Sequence, residues 1–123
     1  MTLQELYQRI GGDLSQALRV LRVEKLVDKH IRKFPKNGVV EALLRAGADL
    51  EPAQMFETAH AVKGICGNLG LTELFSLASL LSEEFRPGNA RALSDSEVRE
   101  KLEQLGKLYD RAAEGIQAYE DGN

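Results

Sequence analysis

The sequence predicts an all-α fold, an up-down antiparallel four-helix bundle with short additional helices at its N-terminus. Three observations predict it. Apolar residues recur at helical spacing in nearly every segment. The chain has three prolines and no sustained alternation of apolar and polar residues, which leaves little room for strands. The connections between periodic segments are short, so successive helices are expected to lie antiparallel.

The elements follow in order. "TLQE", Thr2 to Glu5, has the form of a capping box and opens a helix over 2–10 that stops at Gly11 and Gly12. Asp13 can cap a second helix over 13–21. Val23, Leu26, Val27, His30, Ile31 and Phe34 form one apolar stripe on a helix over 23–34, which Pro35 ends. "NGVVEALLRAG" predicts a shorter helix over 37–46 with Val40, Leu43 and Leu44 inward, ended by Gly47. Asp49 or Glu51 then marks the start of a helix over 51–69; Pro52 suits its first turn and Gly70 its end. Thr72 can cap a helix over 72–85, with Leu74, Leu77, Ala78, Leu81 and Phe85 on one face. "RPGNARAL" reads as a loop. A second capping box, Ser94 to Glu97, opens a last helix over 94–119 whose seam is Val98, Leu102, Leu105, Tyr109, Ala112, Ile116 and Tyr119. The N-terminal helices are expected over one end of the bundle, and residues 1–123 are expected to make one domain.

Composition bounds the function. Hydrophobic residues make up 43% and charged residues 28%, a globular balance. Sixteen basic against 19 acidic residues give a net charge of −3, without the basic excess of a general nucleic-acid binder. No apolar run is long enough to span a membrane, and "MTLQELYQRI", without a basic region followed by an apolar core, is not expected to act as a signal peptide. Cys66 is the only cysteine and has no partner for an intramolecular disulfide, so a cytoplasmic setting is expected.

The informative stretch is "AHAVKGICGNLG", residues 59–70. Glycine inside a helix costs about 1 kcal/mol relative to alanine, yet Gly64 and Gly67 both fall within the predicted helix. At about 100° per residue, Met55, Thr58, Val62, Ile65, Cys66 and Leu69 form the apolar side. His60 points nearly opposite, with Lys63 and Gly64 beside it and Gly67 a turn further on. A glycine that served core packing would fall on the inner face, and Gly64 does not. The expected arrangement is an exposed histidine on a surface stripped of side chains, open to a large partner. Imidazole keeps a free nitrogen lone pair at cellular pH and can attack phosphorus. A lysine three residues on can offer charge to the phosphate oxygens.

These residues resemble the signature of histidine-containing phosphotransfer (HPt) domains: a histidine, then x-x-Lys-Gly, then a glycine six residues later. His60, Lys63, Gly64 and Gly70 match it position by position, and "GNLG" is a common form of its end. The likeness extends along the chain, through the apolar helix ending in Phe34, the "AGAD" turn and the Leu/Ala-rich helix after the motif. Ile65 and Cys66 depart from it, standing where smaller residues are frequent. The resemblance implies a phosphorelay carrier without kinase activity of its own. Its partners would be a response-regulator receiver domain, a hybrid histidine kinase, or both. His60 would be the phosphoacceptor, through Nε2, Lys63 the charge partner and Gly64 the source of steric access. Phe56 and Gly67 would belong to the partner-binding surface, although Gly67 also suits close helix approach. No cofactor is expected on this chain; the Mg²⁺ of the reaction belongs to the receiver. A monomer is expected, with neither nucleic acid nor membrane as partner.

The other candidates have plainer readings. His30 sits within an apolar stripe and reads as a packed structural histidine rather than a second acceptor. Zinc held by His30, His60 and Cys66 is disfavoured, because Cys66 faces away from His60 and a structural site needs four clustered ligands. Cys66 reads as a small buried apolar residue. Residues 19–36 hold seven basic residues and two acidic ones, either a solvated face or a patch that steers an acidic receiver. The rival to a relay carrier is a relay-inactive helical adaptor, which would have no need of His60, Lys63 and Gly64. A phosphatase or kinase is disfavoured by the lack of a glycine-rich phosphate loop and of paired carboxylates in the motif.

Overall fold

A computed structural model describes residues 1–122. Those residues form seven α-helices and no strand: α1 (Leu3–Ile10), α2 (Leu14–Leu21), α3 (Glu24–Lys33), α4 (Val39–Ala46), α5 (Pro52–Leu69), α6 (Thr72–Glu84) and α7 (Asp95–Gly122). A 3₁₀ turn, Phe34–Lys36, joins α3 to α4.

Local chemistry sets most of the boundaries. Thr2 Oγ1 accepts from the Glu5 amide while Glu5 Oε1 accepts from the Thr2 amide, closing the first capping box. Asp13 caps α2 through the Gln16 amide at 3.1 Å. Glu51 rather than Asp49 caps α5, accepting from the Ala53 and Gln54 amides at 3.1 and 2.9 Å. Ser94 and Glu97 repeat the capping box at the start of α7. Thr72 does not cap α6. The cap position is Leu71, and the Thr72 hydroxyl donates instead to the Gly11 carbonyl.

The bundle has four columns. α5, α6 and α7 are three of them, and α5 makes its most extensive contact with α6. The fourth is α3 and α4 together, and it runs antiparallel to α7. Asp28 meets Tyr119, Phe34 packs edge-on against Tyr109, and a Cβ on Gly47 would stand against Leu102. So α3 and α4 are one broken column rather than an antiparallel pair. Pro35 interrupts the helix without reversing it, because the 3₁₀ turn keeps the chain's direction. The Tyr109 hydroxyl secures the break: it lies 2.8 Å from Glu41 Oε2 and 3.2 Å from the Pro35 carbonyl.

α1 and α2 surround the end of the bundle where α5 and α7 finish. Tyr7, fully buried, donates from its hydroxyl to the Leu69 carbonyl at 2.7 Å. That satisfies one of the orphan carbonyls at the C-terminus of α5. Gly70 ends α5 with φ +68°, and its carbonyl accepts from the Asp13 amide at 2.7 Å. A Cβ at Gly70 would lie 2.1 Å from the Asp13 carbonyl oxygen. The glycine therefore permits both the left-handed turn and the seating of α2 on α5. The core is continuous, running from Leu6 and Tyr7 through Ile31, Val62 and Cys66 to Leu81, Leu105 and Ile116.

The α3 stripe is narrower than its sequence spacing predicts. Val27, Ile31 and Phe34 are buried, but His30 is exposed, and so are Val23 and Leu26. The reading of His30 as a packed residue is thus corrected. On a helical wheel it stands about 60° from Val27, and Leu26 about 100°. Both fall off the edge of the line that meets the core.

Candidate functional site

α5 is buried on one side and open on the other. Met55, Ala59, Val62, Cys66 and Leu69 face the core. His60, Ala61, Gly64 and Asn68 are exposed, and Lys63, Ile65 and Gly67 are half-buried. His60, Gly64 and Asn68 stand one turn apart along the outward face.

Neither His60 nitrogen has a hydrogen-bond or ion-pair partner among the described residues. Its ring contact is with Phe56, one turn earlier. The two rings are stacked, with centroids 5.6 Å apart and planes at 25°. Phe56 is half-buried and packs against the core, so it fixes one face of the imidazole and leaves the nitrogens to solvent. Lys63, three residues on, neighbours His60 on the helix surface and makes no ion pair among the described residues.

The two interior glycines differ. Nothing lies within 4 Å of where a Cβ on Gly64 would stand, so no packing requirement keeps that position bare. A Cβ on Gly67 would meet the Phe75 ring at 3.1 Å, so Gly67 makes room for a close approach of α6. The result is a groove of about 570 Å³ whose walls are Val20, Lys63, Gly67, Asn68 and Phe75, and it reaches Gly64. Val20 and Phe75 are exposed at 41% and 37%, unusual for large apolar side chains beside an open groove. The sequence marks neither, since each belongs to a helix whose periodicity says nothing about α5.

Cys66 is buried, and burial pushes its thiol up to about 12, so it is neither a nucleophile nor a ligand here. No three of the described His, Cys, Asp and Glu residues cluster as a metal site. No described helix is long and apolar enough to cross a membrane.

A family model for the Hpt domain matches residues 2–115. The chain belongs to the Hpt domain family. Hpt domains are phosphotransfer carriers rather than enzymes, and they serve in phosphorelays between receiver domains and kinases. Comparison with curated proteins and with solved structures found no match.

Proposed function

We propose that this Hpt domain accepts a phosphoryl group on His60 from the aspartyl phosphate of a receiver domain, or from a histidine kinase, and passes it to another receiver. The observation that carries the reading is the bare surface around an unencumbered histidine. His60 is exposed, its nitrogens are unpaired among the described residues, and Gly64 leaves open the space one turn above it.

In the transfer step, the lone pair of neutral His60, on Nε2 by family resemblance, attacks phosphorus in line with the donor's acyl–phosphate bond. The N–P bond forms as that O–P bond breaks, and the bonding pair leaves on the donor's carboxylate. The other ring nitrogen keeps its proton. Lys63 supplies positive charge to the phosphoryl oxygens, whose charge is spread in a loose transition state. Phe56 holds the ring in one orientation, and restricting the nucleophile in this way is what positioning contributes to such a step. Mg²⁺ enters with the receiver. The domain is read as working in the cytoplasm as a monomer.

The experiment is transfer from a phosphorylated receiver domain in the presence of Mg²⁺. Label should move to this protein and be acid-labile and base-stable, as a phosphoramidate is. His60→Gln should abolish it, and ATP alone should label nothing. A protein that binds receivers but takes no label would be the relay-inactive adaptor.

A further inference from the structure

We propose that the α2–α3 hairpin is a second docking element, a basic and apolar ridge that holds an acidic face of the receiver exchanging phosphoryl groups with His60. The inference rests on the relay reading above and names a feature of its partner.

Seven of the chain's 16 basic residues but only two of its 19 acidic ones lie within residues 19–36. One of the two acids is already engaged: Asp28 pairs with Arg32 at 3.0 Å and accepts from the Tyr119 hydroxyl. Lys36 is engaged as well, with Glu120 at 3.1 Å. Arg22, Lys25, Lys29 and Lys33 have no ion pair or side-chain hydrogen bond among the described residues. Lys25, Lys29 and Lys33 stand at successive turns of α3, so they form one exposed column.

Apolar side chains are interleaved with this charge. Val20, Val23 and Leu26 are exposed at 41%, 50% and 39%, three of the six large apolar side chains left exposed among the described residues. The connection holds them at a sharp reversal. Arg22 has φ +76° and ψ −40°, and the Val23 amide donates to the Leu21 carbonyl at 2.9 Å, a three-residue turn that side-chain-bearing residues avoid. Backbone strain of this kind persists where it positions something. Here it sets Val20 and Val23 on either side of the tip.

The ridge is continuous with the surface around His60. Val20 is a wall of the groove that reaches Gly64. A second groove, of about 400 Å³, joins His30 and Lys33 on α3 to Ile65 and Asn68 on α5. Asn68 lines both grooves, so the ridge flanks the outward face of α5 over its C-terminal half. A partner seated over His60 that extends along α5 toward Asn68 would meet it.

Charge complementarity makes that partner acidic, and contiguity with the outward face of α5 makes it the receiver rather than a membrane or a nucleic acid. Rim charges of this sort act mainly on association rate and on salt dependence.

The test is binding, followed by calorimetry, of isolated receiver domains from the same genome. It compares the wild type, the charge reversal Lys25→Glu/Lys29→Glu/Lys33→Glu, the neutral Lys25→Gln/Lys29→Gln/Lys33→Gln and the apolar Val23→Ser/Leu26→Ser. All these positions are exposed, and circular dichroism checks the fold of each variant. The reversal should weaken the receivers that bind by at least about tenfold at low salt. The gap should close to about twofold near 0.5 M salt, and the neutral variant should fall between. Val23→Ser/Leu26→Ser should weaken binding by a similar factor at every salt concentration. Labelling of His60 by phosphoramidate, a small donor that needs no docking, should be unchanged in all variants. Failure of that labelling in the wild type would count against the relay reading and leave the binding result to judge the ridge. Receiver binding unaltered by reversal, or no receiver bound, overturns the proposal. So does wild-type binding to phosphatidylserine vesicles or single-stranded RNA that the reversal abolishes while receiver binding is unaltered.

Discussion

Replacing Gly64 with glutamine separates access from stability, because the structure gives the two effects opposite signs. Nothing lies within 4 Å of a Cβ at this position, so the fold has nothing to push aside. Gly64 is exposed inside α5, where exchanging glycine for glutamine favours the helix by about 0.5 kcal/mol or somewhat more. At this chain length 1 kcal/mol moves the melting temperature by about 3–6 °C, so the variant should melt about 2–3 °C higher than the wild type. Function should move the other way. Helical side chains lean toward the N-terminus, so the new side chain would lie back over the turn that carries His60. A misplacement of about 1 Å between nucleophile and phosphorus costs on the order of 100-fold in rate, and a side chain in the partner's path should cost at least that in transfer from a phosphorylated receiver. Labelling by phosphoramidate should fall by less than about threefold. The assay pairs thermal melting with rapid-quench transfer kinetics. Wild-type transfer from the receiver would refute the access argument, and a large drop in melting temperature would show that Gly64 packs against a neighbour.

Other perturbations test other parts of the fold and site. Gly70→Ala should lower the melting temperature by about 10 °C or more, because its Cβ would meet the Asp13 carbonyl oxygen at 2.1 Å in a left-handed turn; an unchanged melt would disprove that contact. Arg22→Gly should relieve the positive φ of the α2–α3 turn and raise stability by about 1 kcal/mol in a denaturant titration. His30→Gln, at an exposed position, should change stability by less than about 0.5 kcal/mol and leave labelling intact. Glu84 gives a pH dependence. Burial pushes its carboxyl up, but hydrogen bonds from Arg91 and from the Leu93 and Ala92 amides outweigh this and hold it below the usual carboxylate range. Its contribution should be complete above about pH 5, where the unfolded carboxyl is ionised, and disappear as pH falls through the lower folded value. Stability of Glu84→Gln should therefore depend less on pH below about pH 5 than that of the wild type, as read by melts at stepped pH.

Helix boundaries were legible because short-range chemistry writes them. Thr2, Asp13, Ser94 and Gly70 each act within a few residues of their own position, and each stands in its expected role. Glu51 was one of two candidates for its cap. Thr72 failed because a hydroxyl at the right spacing was drawn to the Gly11 carbonyl across the fold. The outward face of α5 was legible for the same local reason: its wheel separates His60 from the Cys66 side. The direction of α4 was not, since Pro35 reports a break in a helix and not the path of the chain after it. His30 looks packed in the sequence because i, i+3, i+4 spacing marks an apolar face without its width, whereas only the line through Val27, Ile31 and Phe34 meets the core. Val20 and Phe75 come together only when α2 and α6 pack on either side of α5, which no periodicity within one helix discloses.

His60 is the residue proposed to carry the phosphoryl group. The most direct test is to map the modified residue by mass spectrometry, under neutral conditions that preserve phosphoramidates, after brief exposure to a phosphorylated receiver domain with Mg²⁺. One phosphorylated peptide is expected, with the phosphate on His60, absent from His60→Gln and retained in His30→Gln. Phosphate on His30, on a hydroxyl residue, or still present in His60→Gln would contradict it.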